Sequence, residues 1–329
     1  MRAAFFEVAN TITVREAPDP EPTPGNVRLK VTYCGICGSD LTVFKTGALA
    51  GPGVVLGHEL SATVDLDPDG GWAPGTRVTV FPARGCGECT WCRAGYPRYC
   101  LTPPYSEWGG YADYTVFPAN NLIRLPDALD DRVAALAEPF GVGLRAVDLA
   151  DAQEGDLAYV SGLGPIGLFA AAGLVSAGCR VVGADPREER RELATKLGVT
   201  ETFDPTARDP HTTLFGIDPR GPRIAFEASG MPDSLQKVVD SCGPGGVVGV
   251  LGVPMAPVFL LRMFVGELRA FSLAGPSRES MARALELLQE RPEIGGVITG
   301  TVPLSGTEEA FRRLVAGDGG VKVLVQPSL

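Results

Sequence analysis

Four cysteines, Cys86, Cys89, Cys92 and Cys100, fall within CGECTWCRAGYPRYC, a C-x2-C-x2-C-x7-C array in a segment carrying Gly and Pro. Four thiolates close a tetrahedral shell around Zn²⁺ and leave no position for a substrate, so this array reads as a structural zinc lobe. Free cysteines are the plainer alternative, but without a metal the segment has little core of its own. A second set is dispersed: Cys37 in CGICGSD, His58 and Glu59 in GHE, and Glu138 in AEPF. Thiolate, imidazole and carboxylate together are the mixed ligands of a catalytic zinc, which keeps one position open. Taken singly, Cys37 reads equally as a buried thiol and His58 as a satisfied core histidine; the combination favours a metal. The other histidine of the chain, His211, lies in DPTARDPHTT and reads as part of a surface loop. Cys34, Cys179 and Cys242 lie in or beside apolar or glycine-rich runs, where packing explains them.

A different chemistry is written in Gly162-Leu163-Gly164-Pro165-Ile166-Gly167, which follows the apolar run Leu157 to Val160 and opens a helical stretch. The first glycine permits a tight turn, the second lets backbone approach a pyrophosphate, and the third lets helix and strand pack closely. The helix N-terminus supplies free N–H groups and the positive end of its dipole. Asp185 ends the next strand, 18 residues beyond Gly167, where a carboxylate accepts hydrogen bonds from an adenosine ribose. That favours NAD, because a 2′-phosphate would meet like charge; Arg187 and Arg190 leave NADP open.

The elements that must position these residues change in character along the chain. RAAFFEV, NVRLKVTYC, ELSATVDL, TRVTVFPA and YADYTVF, separated by Pro, Gly and Asp clusters, predict an all-β, barrel-like first part. From about Ala134 onward, strands alternate with helical lengths, which predicts a doubly wound parallel sheet. ESMARALELLQERP and GTEEAFRRLVAG read as late helices and VKVLVQP as a final strand. The length of 329 residues fits two domains. With 45% hydrophobic and 21% charged residues, the composition argues against wholesale disorder. A net charge of −10 with no Lys/Arg run argues against nucleic-acid or anionic-membrane partners. No stretch of about 18 apolar residues and no signal-like N-terminus is present, and the clustered cysteines suit a reducing compartment, so a cytoplasmic protein is expected.

CGICGSD, GHE, the four-cysteine array, AEPF and GLGPIG, in this order, resemble the zinc-dependent medium-chain alcohol dehydrogenases, in particular the sorbitol and threonine (polyol) dehydrogenase branch. The resemblance covers nearly the whole chain. It implies an α/β chain with a GroES-like catalytic domain over residues 1–140, carrying the structural-zinc lobe at about 84–102. A Rossmann NAD-binding domain follows over 141–277, and a segment at 278–329 returns to the first domain. Cys37 and His58 are then ligands of the catalytic zinc, and Glu59 and Glu138 either touch the metal or hydrogen-bond its water. Ser39 matches the hydroxyl that contacts the substrate oxygen and passes its proton toward the nicotinamide ribose. Where relatives often carry a histidine three residues beyond that hydroxyl, this chain has Thr42; the proton then has Thr42, water or one of the glutamates as its route. The implied reaction is hydride transfer between NAD and a secondary alcohol, with a polyol, cyclitol, amino-cyclitol or sugar favoured by the polar and aromatic segment Tyr105-Ser106-Glu107-Trp108. The alternatives are an NADP-dependent zinc alcohol or aldehyde reductase, or a catalytically silent NAD-binding protein. Relatives pair through the edge of the Rossmann sheet, so a homodimer or homotetramer is expected, with VVGVLGV and FSLAG at the joint.

Overall fold

The computed structural model describes residues 1–82, 85–86, 88–94, 99–101, 108–253 and 256–329. It divides into two compact units, one of Met1–Glu138, Leu285–Gln289 and Ile298–Leu329, the other of Pro139–Ala284 and Glu290–Val297.

The first unit is built on the long strand Asn26–Gly35, whose alternating burial sends Val27, Leu29 and Val31 into the core. This strand pairs antiparallel with Glu59–Leu66, Tyr114–Pro118 and the final strand Lys322–Gln326. Arg77–Val80 and Leu122–Arg124 extend the sheet on one side, and Ile298–Pro303 on the other. A smaller sheet joins Arg2–Val8 to Thr11–Glu16 and to the two-residue strand Val54–Val55. The C-terminal helix Thr307–Ala316 contributes Phe311, fully buried, which meets Phe44 and Tyr111 edge-on with ring centroids 5.3 and 5.7 Å apart. Residues from opposite ends of the chain therefore share one core.

The second unit is a six-stranded sheet whose successive pairs are all parallel. Numbered within this unit, its strands lie in the order 3-2-1-4-5-6, the order of the dinucleotide-binding Rossmann fold. Strand Leu157–Ser161 lies at the centre, buried throughout, between Arg180–Ala184 and Ile224–Glu227. Burial on both faces explains why these strands read as continuous apolar runs. Of the two segments expected near the sheet edge, FSLAG supplies Phe271 and Ser272 to the edge strand Arg269–Ser272, and VVGVLGV supplies Val247–Val250, the strand beside it, whose backbone groups are paired on both sides. His211 is not in a loop: Asp209 caps and Pro210 opens the helix Pro210–Ile217, because the cap accepts from Thr212 N and proline suits the first turn.

Truncating Phe311→Ala removes the ring that both Phe44 and Tyr111 lean on. Denaturant titration should show a loss of about 3–5 kcal/mol, with the transition unchanged in position if the C-terminal helix were peripheral.

Candidate functional site

The metal-ligating candidates of the first unit converge because two paired strands share an end. Gly35 stands opposite Glu59 in the antiparallel ladder, so the chain leaving the first strand delivers Cys37 where the chain entering the second delivers His58. A side chain at residue 35 is excluded, since a Cβ there would lie 2.1 Å from Glu59 Oε2. Ligand atoms of Cys37, His58 and Glu59 all lie within 4.8 Å of one another. Glu138, in the first turn of the helix Ala137–Leu149, is not in that group; it is buried, and its charge acts on both His58 and Lys322. Ser39 and Thr42 are exposed on the helix Gly38–Thr46, and the Thr42 hydroxyl donates to Gly38 O at 3.1 Å.

Three residues not singled out from sequence surround this group. Asp40, on the same short helix and fully buried, accepts from Tyr111 Oη at 2.7 Å and from the Cys37 backbone N–H at 3.1 Å. Its other oxygen lies 3.7 Å from His58 Nδ1, and neither atom has a hydrogen-bond partner among the described residues. Nδ1 thus faces a carboxylate and Nε2 remains for a metal, the arrangement by which an outer carboxylate fixes a ligating histidine. Lys322, buried at the start of the final strand, donates to Glu59 at 2.6 and 2.8 Å and to Ile36 O at 3.0 Å. Burial alone would lower the His58 pKa, yet the charges of Asp40, Cys37 and Glu138 raise it well above the usual value. Lys322 follows the same pattern: burial lowers its pKa, but Glu59, Cys37 and Glu138 outweigh this and raise it. So many anionic groups around one imidazole and one ammonium form a surrounding that a divalent cation would neutralise. The sulfur, nitrogen and oxygen donors suit zinc.

The four-cysteine array also fits zinc. Cys86, Cys89, Cys92 and Cys100 place their sulfurs within 4.8 Å of one another, with Cys89 to Cys92 at 3.5 Å and Cys86 to Cys92 at 4.0 Å. Sulfurs on a tetrahedral zinc stand about 3.8 Å apart. The backbone N–H groups of Cys86 and Cys89 point at Cys100 Sγ and Cys86 Sγ, donors suited to thiolates. All eight cysteines are free of disulfides. Burial raises the thiol of Cys179 to about 11 and that of Cys242 to about 12, which keeps both unreactive.

In the second unit, Gly162 turns with φ +91° and donates to Ala184 O at 2.8 Å. A Cβ at Gly167 would lie 1.8 Å from Gly162 O, so the third glycine is required for the turn to sit on the helix. Gly164 caps the helix Pro165–Ser176, whose first turn leaves the N–H groups of Ile166 and Gly167 without intrahelical acceptors. Asp185, buried at the end of the neighbouring strand, accepts from Leu163 N at 2.9 Å and Arg187 N at 3.0 Å, and Arg190 Nη1 lies 3.4 Å from it. Free helix N–H groups beside a carboxylate are the arrangement that a dinucleotide's pyrophosphate and ribose would need. Glu227, also missed from sequence, ends the adjacent strand and binds the N–H groups of Ser229 and Gly230 at 2.8 and 3.0 Å. It holds that loop against the glycine turn, where a Cβ on Gly162 would meet Ser229 N at 2.5 Å. Tyr105, Ser106 and Glu107 lie outside the described residues, while Trp108 packs against the core of the first unit.

The Asp40→Asn substitution keeps the shape but removes the charge facing His58. Metal affinity at the Cys37 site should fall about 10–100-fold in chelator competition while the four-cysteine site is unchanged; equal affinities would rule out an orienting role for Asp40.

Comparison with known proteins agrees with this geometry. Residues 23–127 match the alcohol dehydrogenase GroES-like domain and residues 165–290 match the zinc-binding dehydrogenase domain. The chain is 28% identical over 327 residues to the L-threonine 3-dehydrogenase of Idiomarina loihiensis, covering 95% of this chain and 96% of that protein. To the sorbitol dehydrogenase of Bacillus subtilis it is 32% identical over 269 residues, covering 77% and 75% of the two chains. A solved structure from Sinorhizobium meliloti, bound to NADP, superposes with a TM-score of 0.91 at 28% identity over 99% of each chain. The chain therefore belongs to the zinc-dependent medium-chain dehydrogenase/reductase family, in the branch of the threonine and sorbitol dehydrogenases.

Proposed function

We propose that this alcohol oxidoreductase transfers a hydride between NAD and a secondary alcohol carbon of a polyol, cyclitol, amino-cyclitol or sugar. The convergence of Cys37, His58 and Glu59 within 4.8 Å, backed by Asp40, carries this reading. Zinc bound there would act as a Lewis acid that lowers the pKa of the substrate hydroxyl. Cys37 and His58 would hold it, with Glu59 or Glu138 completing the set. Asp40 keeps the His58 ring aimed, and Tyr111 and the Cys37 N–H keep Asp40 in place. Ser39, exposed beside the site, accepts the substrate's proton and passes its own to solvent. The Thr42 hydroxyl spends its proton on Gly38 O, so water is the better onward route.

Asp185 supports NAD, because its carboxylate suits ribose hydroxyls and repels a 2′-phosphate. Arg190, 3.4 Å from that carboxylate, is the observation that keeps NADP as the second reading. Rates with the two cofactors at equal concentration separate them. The free thiols suit the cytoplasm, and among the described residues no helix is long and apolar enough to cross a membrane.

We further propose a homodimer joined along the sheet edge at Arg269–Ser272. Beside that edge, Phe259 and Phe264 are 81% and 83% exposed, with Leu260, Leu261 and Val265 also uncovered. Such a patch on a soluble chain marks an interface.

Purified protein should hold near two zincs per chain and reduce NAD with a member of a polyol and cyclitol panel. Both Cys37→Ser and His58→Ala should abolish turnover, lose one zinc and leave NAD binding nearly intact; turnover surviving either change refutes the zinc mechanism. For the interface, Phe264→Glu should give monomers by light scattering, whereas an unchanged mass would place the joint elsewhere.

A further inference from the structure

The buried pair Glu59–Lys322 has no part in holding the fold's ends together that a pair of apolar side chains could not play, and burying two charges is costly. Its position explains it better. A Glu59 oxygen lies within 4.8 Å of the ligand atoms of Cys37 and His58, while Lys322 Nζ contacts both Glu59 oxygens, at 2.8 and 2.6 Å. The third bond of the ammonium goes to Ile36 O, one residue before Cys37, at 3.0 Å. All three Nζ protons are thereby used, and the side chain is 2% exposed, so it has no solvent alternative. The final strand sets this arrangement: Ile36 N donates to Val323 O at 2.9 Å, and Leu324 stands opposite Gly35. A carboxylate with both oxygens held by an ammonium donates less charge to a second cation and cannot swing freely.

We propose that Lys322 is a positioning residue that makes Glu59 a weak, exchangeable ligand, so that the catalytic zinc keeps one place open for the substrate hydroxyl. The proposal rests on the Cys37–His58–Glu59 group being the catalytic metal site. With Lys322 gone, Glu59 regains its full charge and freedom and becomes a permanent ligand that competes with substrate. In the double variant Glu59→Gln/Lys322→Met the buried charges are both absent, and the site should behave as one with a weak fourth ligand.

The test uses the full-length protein with Co²⁺ loaded at the Cys37 site, and a Cys37→Ser variant to subtract the signal of the cysteine lobe. Two quantities are read: the rate of cobalt loss to excess chelator, and the visible cobalt absorption, which weakens as coordination rises from four to five. Lys322→Met should release cobalt at least about tenfold more slowly than the wild type, with weaker visible bands and a raised KM. The double variant should release it within about tenfold of the wild-type rate. Wild-type release and spectrum in Lys322→Met would overturn the proposal. So would release more than about a hundredfold faster in the double variant, a result that stands even if the single variant fails to fold. No metal at the Cys37 site of the wild type would instead overturn the proposed function, and this inference with it.

Discussion

The pairing of Gly35 with Glu59 is the constraint on which the first unit depends. One residue of slip in that ladder would send every side chain of the strand Glu59–Leu66 to the opposite face. Leu60, Ala62 and Val64 would leave the core, and His58 would turn away from Cys37. The missing side chain at Gly35 makes the register selective, because the Glu59 carboxylate occupies the space a Cβ would need. The final strand then locks onto the same place, with Leu324 opposite Gly35, and brings Lys322 to Glu59.

Electrostatics inside this corner are dense. Asp40, Glu59 and Glu138 are buried carboxylates, and His58 and Lys322 are the buried groups able to balance them. Removing one partner of such a buried pair typically costs about 3–5 kcal/mol, because the other charge is left uncompensated. The fold tolerates the arrangement in part by hydrogen-bonding three of these groups: Asp40 to Tyr111 and the Cys37 N–H, Glu59 to Lys322, and Lys322 to Ile36 O. The apolar frame is part of the same device, since Phe311 packs edge-on against Tyr111, which holds Asp40, and Phe44 packs against Phe311.

In the second unit the corresponding constraint is the strand order. Strands Leu157–Ser161 and Ile224–Glu227 are neighbours at the sheet's centre, and their connections run to opposite sides, which opens a crevice at their carboxyl ends. The glycine turn after Ser161 and the loop after Glu227 meet there, and Asp185 ties the turn to the next strand through Leu163 N. Asp185 is therefore partly a structural group, with Arg190 alongside as its counter-charge.

The fold class was legible in the chain, because the polar–apolar alternation of NVRLKV and ELSATVDL and the apolar runs of the parallel strands are local consequences of which faces are buried. It also made the four-cysteine array and GLGPIG readable, since their residues act within one loop or turn. Short or edge elements were not legible: Thr11–Glu16, Val54–Val55 and Leu122–Arg124 carry too little pattern to stand out. Which of VVGVLGV and FSLAG forms the edge strand was not legible, because an apolar strand looks alike whether it has one neighbour or two. The surroundings of Cys37 and His58 came from strand pairing and packing. Asp40, Tyr111 and Lys322 lie within reach of them through pairings that span up to 286 residues of chain. A lysine in VKVLVQP carries no local sign of burial, and its role exists only where the last strand closes on the first sheet, because hydrogen-bond partners are chosen by strand register and not by spacing along the chain.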